Sequence, residues 1–275
     1  MGADEGAQNR IARPVAVIVL GFIGGLVAVC LGSCLFGSVL SVGTRQMTPD
    51  EIRNSSNTLF IALIAVHFSM LAAVRYGPEK LDDLDGGDWK QRARWRLTSF
   101  NLFNTLCIAA GALACGGLVL KLLPSPASTD ALQTLARAAR TTDDLPLGVL
   151  ILLIAVLPGV SEELSFRGIL QPRLVERFGP AIGIVATSLL FGLIHFDLRQ
   201  GLAAFAIGLW LGWCSWRENS TVNVAFGHII NNAAFVLANH FASAGAVYRP
   251  IASVRFAVLT VCIAAMYWRT RKVKT

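Results

Sequence analysis

Stretches of about 20 apolar residues, the length that carries a helix across a bilayer, recur along nearly the whole of this 275-residue chain. They fall near 14–42, 57–75, 98–123, 146–170, 181–196, 201–216, 221–243 and 251–268. The expectation is an all-α fold, a polytopic membrane protein of about eight transmembrane helices around a conical or bundle-like core. The first window follows Arg10 and Arg13 and is too long for a signal-peptide core, so it reads as a retained helix. Its Gly21-x-x-x-Gly25 suits close helix approach.

Composition agrees, because 54% hydrophobic and 15% charged residues, with a mean hydropathy of +0.58, leave too little polar surface for a soluble globule. The net charge of +7 reads as the Lys and Arg excess of cytoplasmic loops and not as a nucleic-acid footprint. An even number of spans puts both termini on one side. That side also holds the basic clusters Lys90–Arg96 and Arg269–Lys274, which places it in the cytoplasm, with a bacterial cell membrane as the expected location. The loop 77–96, with Trp89 and Trp95, reads as an anchor, and 130–140 as a short amphipathic surface helix. The six cysteines all lie in apolar stretches and form neither a disulfide framework nor a zinc-ligand spacing.

Ionisable groups at membrane depth are costly and usually mark a working site. Ser161-Glu162-Glu163-Leu164-Ser165-Phe166-Arg167 follows the aliphatic run Leu147–Leu157. On a helix, Glu163 and Arg167 are four apart and can pair, whereas Glu162 is rotated by about 100° and stays available. A poorly solvated cavity favours the neutral form of a carboxylate, which suits proton transfer near neutral pH. The alternative is a structural ion-pair cluster at a helix end. Pro158-Gly159 is expected to kink the helix or restart it with Ser161 as N-cap.

Two more polar sets follow. Phe191-Gly-Leu-Ile-His195 ends the next span, and His228-Ile-Ile-Asn-Asn232 puts residues 228 and 232 on one helix face. His67, Asn231 and His240 read as structural, interhelical hydrogen-bonding groups. Counting 1.5 Å per residue puts Glu162 roughly 9 Å, His228 roughly 10 Å and Asn232 roughly 16 Å from the cytoplasmic boundary. His195 comes out at roughly 21 Å. The short windows 181–196 and 201–216 reconcile it with the others if they form a hairpin whose turn, 197–200, ends inside a protein-lined cavity.

Glu162-Glu163-x-x-x-Arg167, Phe191-x-x-x-His195 and His228-x-x-x-Asn232 together resemble the three signatures of the CPBP family, the CAAX proteases and bacteriocin-processing enzymes. The resemblance covers about 146–243 and divides the chain into N-terminal helices (1–145), a catalytic core (146–243) and a C-terminal helix with a basic tail (244–275). It implies a glutamate-dependent intramembrane endopeptidase. Glu162 and His195 would activate a water, His228 and Asn232 would stabilise the oxyanion, and Glu163 and Arg167 would support them. No cofactor is implied. Two His with two Glu leave zinc as the lesser alternative, although His-Glu-x-x-His is absent. The expected partners are the lipid bilayer and a peptide or membrane-protein substrate. A non-catalytic immunity or scaffold protein of the same fold is the competing class, and a transporter a third. Oligomeric state is unreadable, because Gly208-x-x-x-Gly212 suits packing within the chain as well as against a second copy.

Overall fold

A computed structural model describes residues 56–76, 100–123, 146–195, 197–241 and 252–271. The first apolar window with its glycine pair, Cys30, Cys34, and the segments 77–96 and 130–140 lie outside the described residues. Every regular element among the described residues is helical. In chain order they are α1 (Ser56–Tyr76), α2 (Leu102–Leu122), α3 (Leu147–Ile151), a π-helical turn (Leu152–Val156), α4 (Leu157–Glu163), a second π-helical turn (Leu164–Leu170), α5 (Gln171–Leu193), α6 (Leu198–Glu218), α7 (Val222–His240) and α8 (Ala252–Arg271).

The expected count of eight spans is met only in part, and its first window lies outside the described residues. Among the described residues two helices, Leu102–Leu122 and Leu147–Leu193, are long and apolar enough to cross a membrane, and Phe60–Arg75 is a shorter apolar helix. The run Leu147–Leu193 is broken at Gly179, so the expected windows 146–170 and 181–196 fall on its two arms. Others are helices diluted by polar residues, as in α7 with Asn223, His228, Asn231, Asn232 and Asn239. The architecture is all-α with a pair of long apolar helices, as in a membrane protein. Large apolar side chains on the outer faces, among them Phe68, Leu102, Ile182, Leu193, Phe256 and Trp268, are exposed. Such a surface is unfavourable in water and at home in lipid.

The run from Leu147 does not break at Pro158. The π-helical turn just before it lets the ladder pass the proline, whose ring removes a donor. Ser161 is therefore not an N-cap. It sits inside the helix, and its Oγ donates back to the Leu157 carbonyl at 2.9 Å. The actual break is at Gly179, with φ 81° and ψ 166°, backbone space that is essentially glycine's alone. Pro180 fixes the exit. The second arm of α5 folds back so far that Gly183 packs on the Val175 backbone. In a straight helix those residues would stand about 12 Å apart.

Three apolar clusters hold the helices together. Ile108, Ala112, Trp210, Leu211, Cys214, Val224, Cys262 and Met266 join α2, α6, α7 and α8, and the Trp210 indole N–H donates to the Ile108 carbonyl at 2.8 Å. Met70, Phe166, Leu170, Leu174, Phe191 and Ala204 join α1, the second π-helical turn, α5 and α6. Phe60, Leu150, Ile154 and Val236 join α1, α3, the first π-helical turn and α7. Cys107, Cys115, Cys214 and Cys262 are free thiols.

Candidate active site

Glu163 sits where α4 passes into the second π-helical turn. Its Oε1 accepts from Arg167 Nη1 at 2.8 Å, and both side chains are fully buried. The same oxygen meets His228 Nδ1 at 2.9 Å, so His228 on α7 is tethered to the ion pair. His228 Nε2 then lies 3.9 Å from Glu162 Oε2. One imidazole thus bridges the two neighbouring carboxylates, which leave the helix in different directions. Gly159 makes this possible: a Cβ there would press on the backbone of Ile229, so the glycine lets α7 lie directly on α4.

Arg167 reaches further. Its Nη2 donates to the Gly208 carbonyl at 3.2 Å, one turn from the contact of Gln171 Nε2 with the Gly212 carbonyl at 2.8 Å. The Gly208-x-x-x-Gly212 pair therefore serves packing within the chain, against Ser188, Ile184 and Gln171. The Arg167 guanidinium also lies over the Phe191 ring, 4.6 Å from its centroid. Phe191 meets His195 and His228 edge-on at 5.2 and 5.9 Å. This ring is the apolar hub on which the cation and two imidazoles are arranged.

His195 stands in the turn after α5, and its Nδ1–H donates to the Phe191 carbonyl at 2.8 Å. Asn232 Oδ1 accepts from Asn231 Nδ2 at 3.0 Å, which leaves its own amide N–H groups as the donors it can offer. Glu162, His195, His228 and Asn232 all line one cavity of about 530 Å³, walled by α1, α2, α6 and α7 and the helices around Glu162. Gln200 lines it too, so the α5–α6 hairpin brings its turn region to this cavity. Among the described residues neither His195 nor Asn232 hydrogen-bonds to Glu162 or Glu163. They share the space and not a contact.

Three contributors were read in the sequence as structural groups alone. Asn231 orients Asn232. His67 on α1 lines the cavity, with its Nδ1 2.8 Å from Ser161 Oγ. Ser161 links it to the helix that carries Glu162. The available signal for His67 was an imidazole in the middle of an apolar helix, the position where intramembrane polar groups are costly. His240 lies away from the cavity, against Phe241. No group of three or more His, Cys, Asp or Glu is arranged to hold a metal ion among the described residues.

The fold and the cluster define an all-helical protein with apolar helices and a buried carboxylate–imidazole site that has catalytic potential. Residues 145–234 match the family model described as type II CAAX prenyl endopeptidase Rce1-like. The resemblance to the CAAX proteases of the CPBP family therefore stands over this part of the chain. No curated protein and no solved structure matches the chain.

Proposed function

We propose that the protein is an intramembrane endopeptidase that hydrolyses a peptide bond of a membrane-associated peptide or protein. Processing of the CAAX or bacteriocin-precursor type fits the matched family. The observation that carries this reading is the pairing of a cavity-lining Glu162 with His228, which is itself tethered to a buried Glu163–Arg167 pair. Such an arrangement sorts two adjacent carboxylates into different tasks.

In the proposed reaction Glu162 takes one proton as water attacks the scissile carbonyl, and His195 Nε2 accepts from the water's other O–H. The new C–O bond converts the carbonyl into an oxyanion. Asn232 Nδ2–H donates to it, and His228 does so in its imidazolium form, whose charge faces Glu163 and Glu162. Collapse breaks the C–N bond as the proton held by Glu162 passes to the leaving amine, and the intermediate's remaining O–H gives its proton to His195 Nε2. The products are a carboxylate and an amine. No metal enters these steps. The catalytic unit in this reading is 146–243, in a multi-pass membrane protein with both termini cytoplasmic and a site reached from that side.

Comparative proteomics of membranes from cells that carry the wild type or Glu162→Ala tests the reading. New C termini are expected in the wild-type membranes alone. Identical termini in the two, with equal amounts of inserted protein, would sink it.

A further inference from the structure

Three imidazoles line the cavity, and each has its Nδ1 committed: His195 to the Phe191 carbonyl, His228 to Glu163 and His67 to Ser161. For His67 the direction of the bond follows from the serine. Ser161 Oγ gives its single proton to the helix carbonyls behind it, Leu157 at 2.9 Å and Pro158 at 3.3 Å. It therefore accepts from His67, whose Nδ1 carries the hydrogen. The neutral imidazole then offers Nε2 to the cavity as an acceptor.

The attacking water does not need that acceptor, because Glu162 and His195 take its two hydrogens. A bound peptide does. Most of the cavity wall is apolar, with Ala62, Leu63, Val66 and Met70 beside His67 on α1. A backbone N–H brought into such surroundings without a partner weakens binding by on the order of tenfold. We propose that His67 Nε2 accepts a hydrogen bond from a backbone N–H of the bound peptide and so fixes the register of the scissile bond. The site thereby extends to a helix outside the matched segment. This rests on the peptidase reading above.

The test uses the full-length protein in detergent and a farnesylated peptide ending in a CAAX sequence. Asn places an amide where Nδ1 stands and keeps the bond to Ser161, whereas Gln reaches the position of Nε2. His67→Asn is expected to lower kcat/KM about tenfold or more, chiefly through KM, with an unchanged melting temperature. His67→Gln retains most of the activity. In a series of peptides N-methylated at single amides near the scissile bond, one methyl lowers the wild-type rate by a similar factor and costs His67→Asn nothing further. The proposal is overturned if His67→Asn works at the wild-type rate, if it works better than His67→Gln, or if every methyl multiplies with it. Absence of any Glu162-dependent cleavage by the wild type would overturn the peptidase reading and this proposal together. That result is distinct from Glu162-dependent cleavage indifferent to His67.

Discussion

At Glu163 a single carboxylate oxygen accepts from a guanidinium at 2.8 Å and an imidazole at 2.9 Å with no exposure to solvent. Removing one partner of a buried pair leaves the other charge uncompensated, so Arg167→Ala is expected to destabilise the fold by about 3–5 kcal/mol. Chemical denaturation in detergent measures this. Replacing both partners, Glu163→Leu with Arg167→Met, recovers most of that stability but not activity, since His228 then loses its tether. Recovery of both would assign the pair a purely structural role. The spacing of four that joins Glu163 to Arg167 is legible in the sequence because it is local to one helix. The bond from His228 to Glu163 is not, since it spans 65 positions and depends on how α4 meets α7. The contact of His67 with Ser161, 94 positions apart, was hidden for the same reason.

At the scale of elements, the site depends on the closeness of α4 and α7. A Cβ at Gly159 would stand 3.1 Å from the Ile229 backbone nitrogen, next in sequence to His228. Gly159→Ala is therefore expected to push α7 outward by a few tenths of an ångström and reduce turnover about tenfold, out of proportion to its effect on melting. Turnover and melting that fall in parallel would place the effect in folding alone. The apolar windows made the helices legible, but not the treatment of their interruptions. Pro158-Gly159 was expected to kink the helix or restart it at Ser161, yet the π-helical turn over Leu152–Val156 carries the chain through it. Gly179-Pro180 makes the sharper turn, in the gap between the windows 146–170 and 181–196, beside Glu176 and Arg177. Backbone register of this kind depends on packing and leaves little trace in composition.

For the whole molecule, hydropathy announced a helical, apolar protein but overstated the spans, because windows such as 221–243 average over the asparagines and histidine that α7 turns toward the cavity. The three motifs, each brief and ambiguous alone, converge because the α5–α6 hairpin and α7 close on the helix that carries Glu162. The cavity also draws on α1, α2 and α8, through His67, Leu113 and Arg255, which the motifs do not reach. The central claim is that this convergence activates water through Glu162. Cleavage of a farnesylated CAAX peptide by the purified protein in H₂¹⁸O tests it most directly. The mechanism predicts one ¹⁸O in the new C-terminal carboxylate with the wild type and no cleavage by Glu162→Ala of unchanged melting temperature. Undiminished cleavage by that variant would contradict it.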